Sequence, residues 1–261
     1  MSISNHTFAL CAYKKSDYLE ECIKSLINQT KKSEIIIATS TPNEFIYGLA
    51  EKYSIPVFVN GGVAGIAGDW NFGYSKATTE YVTIAHQDDV YEPDYAEKII
   101  KKMEKCKKPI IGFTEYFEIR NGERVYKNKL LKIKRFLNFP FRIFKKSRFI
   151  RRRVLSVGSP ICCPAVTYNV KNCNNLKFDT SFQNCCDWDA WERLSKEKGS
   201  FVYLKQPLMG HRIHKESTTT KMIENSRRSE EEFIMFRRFW PRFIAKKLSK
   251  TFQKSYVSND V

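Results

Sequence analysis

The sequence predicts an α/β protein: a mixed, mostly parallel sheet flanked by helices, with a basic amphipathic helical extension at its C-terminus. Three observations carry that prediction. Short apolar strands alternate with helical patterns from Phe8 to Met103, the rhythm of βαβ units. One buried strand, Tyr81 to Ala85, is rich in β-branched residues and runs into His86, Gln87 and two adjacent carboxylates, Asp88 and Asp89. After Phe233 the chain interleaves aromatic residues with Lys and Arg.

Phe8 to Cys11 is a short apolar strand that runs into Ala12, Tyr13, Lys14 and Lys15. Ser16 is placed to cap a helix whose Leu19, Ile23, Leu26 and Ile27 share one face. Glu34 to Ala38 is the second strand, with Thr39 to Asn43 as its loop. A helix through Phe45, Leu49 and Tyr53 leads to a strand from Ile55 to Val59. Asn60 to Gly68 is a glycine-rich loop ahead of a short helix, Asp69 to Ala77. Such a loop lets a backbone approach a phosphate, although a merely mobile loop has the same composition. It is not the dinucleotide fingerprint, whose spacing and position after the first strand are both missing. Pro93 opens the helix after the acidic pair, which runs through Tyr95, Ile99 and Met103. Pro109 to Arg120 is strand-like, and Asn121 with Gly122 is a strong hairpin signal, so the sheet becomes mixed there.

A chain of 261 residues, 42% hydrophobic, is long enough for one large domain or two small ones. It has no long unbroken apolar run, so no transmembrane helix is expected. The first residues lack a basic start and a signal-type apolar core, so export is not expected. The net charge of +17 is unevenly placed. Between Glu123 and Asp179 there are fifteen Lys or Arg and no acid; from Phe233 to the end there are seven bases and one acid, Asp260. Two basic patches of this kind suit an anionic partner: membrane lipid, nucleic acid or polyphosphate. The first, Lys129 to Arg153, sets Lys132, Arg135 and Arg142 among Phe139, Phe141 and Phe144. The second sets Phe239, Trp240 and Phe243 among Arg237, Arg238 and Arg242. This is the composition of a helix lying on an anionic membrane. The same residues suit a nucleic-acid backbone, or a surface helix packed on its own domain. Cys162, Cys163, Cys173, Cys185 and Cys186 cluster without a Cys-x-x-Cys spacing, so buried, reduced thiols are expected rather than a zinc site.

Two carboxylates at a strand end repel each other unless a cation or a proton offsets them. Mg²⁺ or Mn²⁺ together with a diphosphate answers that need; a solvated turn capping the next helix is the plainer alternative. The carboxyl edge of such a sheet is where ligands bind. Further along, Asp187 starts a helix whose Trp188, Trp191 and Leu194 lie on overlapping faces. It can be a capping residue or a general base. As a base it needs burial or a nearby diphosphate, because the field of the helix terminus lowers its pKa. In the strand pattern from Pro207 to His214, His211 and Ile213 face one side, Arg212 and His214 the other. An Arg and a His on one face, near carboxylates, suit a diphosphate or a metal.

These motifs, in this order, resemble the family 2 glycosyltransferases of the GT-A fold. The resemblance begins at Phe8 to Tyr13 and Tyr18 to Thr30, continues from Gly65 to Asp89, and runs through Asp187 to Trp191 and on to His214. It implies a nucleotide-sugar donor carried on UDP, GDP or dTDP, a divalent cation, and transfer with inversion at the anomeric carbon. It also implies Asp88 as metal ligand, His214 as a helper at the metal, and Asp187 as the general base. Ala12, Tyr13, Thr39, Asp69, His86, Gln87, Asp89 and Arg212 then line the donor, with Trp188 and Asp189 on the acceptor side. Three positions depart from the family's pattern. His86 stands for the first Asp of the metal motif, the acidic pair after the second strand is replaced within Ala38, Thr39 and Ser40, and Cys186 replaces the Glu before the base. Asp88, Asp89 and Asp187 remain, so an active enzyme is expected.

Residues 1–220 are read as one GT-A domain, with a nucleotide-sugar half at 1–106 and an acceptor half at 107–220 that carries a basic insertion at 124–153. Residues 221–261 are a basic amphipathic tail. The expected setting is peripheral, on the cytoplasmic face of the cell membrane, extending a glycan or lipid-linked acceptor in surface polysaccharide synthesis. Two alternatives stand beside this. A metal-dependent nucleotidyltransferase leaves Asp187 without a role, and a nucleic-acid-binding module leaves the acidic strand end without one.

Overall fold

A computed structural model describes residues 5–173, 176–214 and 226–254. The chain enters as β1 (His6–Ala12) and crosses through α1 (Leu19–Ile27) to β2 (Glu34–Thr39). It continues through α2 (Glu44–Lys52) to β3 (Val57–Val59), then through α3 (Ile66–Lys76) to β4 (Tyr81–His86). All pairings among these four strands are parallel. Leu10 sits between Ile37 and Ala85, so β1 is central here and reads as a continuous buried apolar run.

After β4 come β5 (Val90–Tyr91), α4 (Tyr95–Glu104), β6 (Pro109–Arg120) and β7 (Glu123–Val125). The β6–β7 hairpin turns on Asn121 and Gly122, with φ of 51° and 82°, the turn whose twist matches the strands. The basic insertion forms α5 (Lys129–Asn138), α6 (Pro140–Ile143) and α7 (Arg148–Leu155). Next are β8 (Val166–Asn169), α8 (Cys186–Leu194) and β9 (Ser200–Ile213), then α9 (Ser226–Arg237) and α10 (Arg242–Lys254).

Among the described residues the strands form one sheet in the order β3-β2-β1-β4-β8-β6-β9-β5, with β7 on β6. β8 runs antiparallel to both β4 and β6, so the sheet is mixed, as the hairpin signal implied. β5 closes on the end of β9, with Val90 opposite Gly210. That pairing brings the residues after β4 against the residues that end β9. One face of the sheet packs on α1, α2 and α4 through Leu19, Leu26, Ile46 and Ile99. The other packs on α3, α7, α8, α9 and α10 through Trp70, Leu155, Trp191, Phe236 and Ala245. Each large side chain buried there contributes roughly 1.5–3 kcal/mol.

Several local expectations are corrected. Ser16 is not the cap of α1: the helix begins after Tyr18, and the Ser16 hydroxyl accepts the Tyr18 amide in the preceding turn. α3 starts at Ile66 rather than Asp69, with Gly65 at φ 102° just before it. Gly68 is required by close approach, since a Cβ there would lie 2.0 Å from the Val63 carbonyl oxygen.

The basic insertion is not one membrane-lying helix. Pro140 cannot continue α5, and the chain turns inward. Phe141 is fully buried, edge-on to Phe113 and stacked on Phe201. Arg135 pairs with Glu115 at 2.9 Å. Arg151 is completely buried and donates to the carbonyls of Lys146, Ser147, Glu197 and Gly199. The described part of the C-terminal segment packs on the domain: Trp240 donates its indole N–H to Ser156 O at 2.7 Å, and Phe239 lies beneath Arg152. Phe141, Arg135, Phe239 and Trp240 therefore do not face a membrane. Lys132, Phe139, Arg142, Phe144 and Phe243 do face outward, joined by Phe136, Ile143 and Phe149.

Candidate active site

The acidic pair lies just past β4, in the turn closed by the Asp89 amide donating to His86 O. Its two members have different surroundings. Asp89 is wholly buried; its Oδ1 accepts from the Arg212 amide at 3.0 Å and lies 3.0 Å from His211 Nδ1. Among the described residues its Oδ2 has no hydrogen-bond partner, and neither does His86 Nε2. Asp88 Oδ2 lies 3.0 Å from His214 Nε2. Burial works against the charge on Asp88, but the His214 hydrogen bond and the nearby His86 and His211 outweigh it and hold its pKa below the usual carboxylate value. Burial lowers the pKa of His86, against the pull of both acids. His211 is the reverse: burial opposes its charge, but Asp89 and Asp88 prevail and raise its pKa. Ligand atoms of His86, Asp88 and Asp89 lie within 4.8 Å of one another. An imidazole, two carboxylates and a buried carboxylate oxygen without a hydrogen-bond partner among the described residues fit a divalent cation.

The first loop is tied to this turn. Gln87 Oε1 accepts the Tyr13 amide at 2.9 Å, and Gln87 Nε2 donates to Tyr13 O at 3.0 Å. Ala12 is buried beneath, while the Tyr13 ring is exposed. Thr39 is buried and accepts the Thr41 amide. Asp69 is buried too, accepting from Ser40 Oγ and Asn60 Nδ2, each at 2.8 Å. Its carboxylate thus fastens the loops after β2 and β3 to α3.

Arg212 and His214 lie on one side of β9 and His211 on the other, as strand alternation requires. Arg212, however, is already committed. It is buried, donates from Nε to Asp88 O at 2.9 Å, pairs with Glu21 at 2.5 Å and lies over the Tyr18 ring. Its charge is offset by Glu21, so it braces the acidic turn and does not present a free cation to a diphosphate.

Asp187 stands in the first turn of α8, where its Oδ1 accepts the Trp188 amide at 2.6 Å. Burial raises its pKa to about 6, against the pull of that amide, Lys134 and Arg228. Burial therefore outweighs the helix terminus, and the carboxylate is basic enough to take a proton near neutral pH. The charges of Asp89 and Asp187 both reach the Cys162 thiol, and that of Lys134 reaches both His211 and Asp187. The strand end and the helix start are therefore within electrostatic reach of common groups, Cys162 and Lys134 of α5.

Trp188 and Asp189 do not face an acceptor. Trp188 is buried against Phe236 and donates to Leu155 O at 3.0 Å. Asp189 is buried between Arg193 and Arg238. Glu192, one turn on, pairs with Arg152 at 2.6 Å and Lys196 at 2.8 Å. Two of the cations from the basic segments thus point inward, to acids of α8.

Sequence reasoning did not single out Tyr18, Glu21, Trp70, His211 or Lys134 as site residues. Trp70 stacks on His86, with centroids 5.0 Å apart. Tyr18 and Glu21 carried a signal, since the start of the helix after β1 faces the sheet's carboxyl edge. Lys134 carried none, because nothing local shows where an insertion folds back.

A mixed sheet of this order, with an acid pair past its central strand, defines the GT-A class of fold. S. aureus TarS in complex with UDP-GlcNAc shares it at TM-score 0.66, covering 95% of this chain and 71% of that one at 13% identity. The mannosyltransferase PcManGT from Pyrobaculum calidifontis, in complex with GDP-Man and Mn²⁺, shares it at TM-score 0.62, covering 90% and 63% at 13% identity. The model of glycosyl transferase family 2 matches residues 7–169, and the chain belongs to that family. That match ends before α8, so Asp187 lies outside it. Chondroitin synthase from Pasteurella multocida is 24% identical over 226 residues, 84% of this chain and 22% of its own length. Glycosyltransferase GlyA from Streptococcus pneumoniae is 26% identical over 125 residues, 46% of this chain and 18% of its own. The chain spans well under half the length of the curated relatives it matches.

Proposed function

We propose that this chain transfers a sugar from a nucleotide-sugar donor to a hydroxyl of a glycan or lipid-linked acceptor, with inversion, in surface polysaccharide synthesis. The observation that carries the reading is Asp187: a buried carboxylate at the start of α8 with a pKa raised to about 6, sharing Cys162 as an electrostatic neighbour with Asp89 of the acidic turn after β4. Asp187 takes the proton from the acceptor hydroxyl as its oxygen bonds to the anomeric carbon. The bond from that carbon to the diphosphate oxygen breaks on the opposite face, and the nucleoside diphosphate leaves with the electron pair. No covalent intermediate is needed. His86, Asp88 and Asp89 would hold Mn²⁺ or Mg²⁺, with His214 orienting Asp88. When bound, that cation supplies positive charge to the leaving diphosphate. Ala12, Tyr13 and Gln87 form the donor-side loop, and Lys134 adds a cation from the acceptor side.

Thermal unfolding with UDP, GDP and dTDP, each with and without Mn²⁺, tests the donor site on wild type and Asp88→Ala. A ligand at a hundred times its Kd stabilises by roughly 2.7 kcal/mol. The expected shift requires one nucleotide and the metal together and disappears in the variant. No shift with any nucleotide refutes the donor site.

The setting is proposed to be an anionic membrane face. Phe136, Phe139, Ile143, Phe144 and Phe149 are exposed on the insertion beside Lys132, Arg142 and Arg148, an apolar and cationic surface suited to lipid headgroups. No helix among the described residues is long and apolar enough to cross a membrane. Flotation with anionic but not neutral vesicles is expected. Salt-sensitive binding to oligonucleotides with no flotation would favour a nucleic-acid partner instead.

A further inference from the structure

We infer that Glu231, on α9, is a positioning residue for Asp187: its carboxylate holds the turn that delivers the base, making the C-terminal helices a working part of the active site. The inference rests on the reading of Asp187 as the base. The first amides of a helix lack intrahelical partners and are usually met by a Ser, Thr, Asp or Asn side chain at the cap. α8 has Cys185 at that position, with no side-chain cap bond. What holds this end is the turn leading into the helix, gripped from far along the chain. Glu231 Oε1 accepts the Gln183 amide at 2.8 Å, and its Oε2 accepts the Asn184 amide at 2.7 Å and the Cys185 amide at 3.1 Å. The Glu231 carboxylate is buried, with Arg227 3.8 Å away on its outer side.

This arrangement has two consequences for Asp187. The turn before it is pinned by a charged acceptor, and charge-assisted bonds of this kind are the stronger class. A second carboxylate beside the helix start also offsets part of its positive field, and burial is the largest influence on the proton affinity of Asp187. α9 grips α8 at further points: Phe236 packs edge-on against Trp188 with centroids 5.1 Å apart, and Arg238 pairs with Asp189. The groups that act on Asp187 are Lys134 from α5, Arg228 from α9 and the Trp188 amide. The buried thiols of Cys163, Cys185 and Cys186 stay neutral, because burial raises their pKa.

The test compares wild type with Glu231→Gln, which keeps the shape and loses the charge, and Glu231→Asp, which keeps the charge on a shorter arm. In Glu231→Gln, kcat is expected to fall about tenfold to a hundredfold, the scale of a misplaced catalytic group. KM for the donor stays unchanged, and the acidic limb of the kcat profile moves to lower pH as freed amides turn to Asp187. Glu231→Asp restores part of the loss. Amide exchange at Gln183, Asn184 and Cys185 speeds up in Glu231→Gln, and this readout needs no activity. Unchanged exchange refutes the clamp even if the wild type transfers no sugar. Faster exchange with unchanged kcat and pH profile shows that Glu231 serves the fold alone and overturns the inference. Absence of transfer by the wild type, with faster exchange in the variant, overturns the reading of Asp187 as base and the inference with it, leaving the bond to Glu231 standing.

Discussion

Asp88 and Asp187 are the same side chain in two places, with pKa values shifted in opposite directions. Asp88 sits past a strand end among three histidines, which hold its pKa low despite burial. Asp187 sits at a helix start, where a carboxylate is ordinarily stabilised, yet burial raises its pKa to about 6. Environment, and not residue type or element end, divides the labour. In the proposed mechanism one acid is kept ionised for cation binding and the other is kept basic for proton transfer.

The largest expected effect separates these roles outright. Asp187→Asn is expected to lower transfer by about 10²–10⁴-fold, the usual contribution of a general base. It leaves the nucleotide-induced thermal shift intact, whereas Asp88→Ala loses that shift. Wild-type transfer by Asp187→Asn would dissolve the contrast. In wild type, kcat/KM is expected to fall tenfold per pH unit below about 6, because the base must be ionised in the free enzyme.

Next in size is stability of the metal-free protein. The pKa of Asp187 rises from 3.8 to about 6 on folding, so its favourable contribution is complete below pH 3.8 and is lost as pH climbs through about 6. Asp187→Asn is therefore expected to be more stable than wild type at pH 7, by up to about 3 kcal/mol, with the gap closing toward pH 4. Asp88 has the opposite sign. Its lowered pKa contributes stability above the ordinary carboxylate value that is lost as pH falls further, so Asp88→Asn is expected to be less stable at pH 7. Denaturant melts of both variants across pH 4 to about 8 check the pair of signs.

Smaller effects divide the basic segments in the same way, inward against outward. Arg152→Met removes a partner from the buried Glu192 and is expected to destabilise by about 1–3 kcal/mol, measured by urea midpoint. Phe136→Ser changes an exposed side chain and is expected to alter stability by no more than about 0.5 kcal/mol, while reducing vesicle flotation. A large loss of stability from Phe136→Ser would show that this face is packed.

Much of the fold was legible because its signals are local. The strands β1, β2 and β4, the helices between them and the Asn121–Gly122 hairpin follow from short continuous apolar runs, helical periodicity and turn chemistry. The acidic turn was legible for the same reason, since a strand must end at its carboxyl edge. The state of Asp187 was not. A capping acid and a general base are the same residue at the same helix position, and only the burial contributed by other segments separates them.

By itself, then, the sequence determined the α/β class, the order of the elements and the identities of the acids. It also determined that two stretches would be basic and aromatic. Tertiary structure alone decided which way those stretches turn. Arg135, Phe141, Phe239 and Trp240 point into the domain, while Phe136, Phe144 and Phe243 point out. It also turned Arg212 toward Glu21, arginines of the basic segments toward the buried acids Asp189 and Glu192, and Glu231 onto the turn that carries Asp187. The physical reason is common to these cases. Charge and amphipathicity say that a residue needs a partner, but the partner is chosen by chain segments tens of residues away, and no local period encodes that distance.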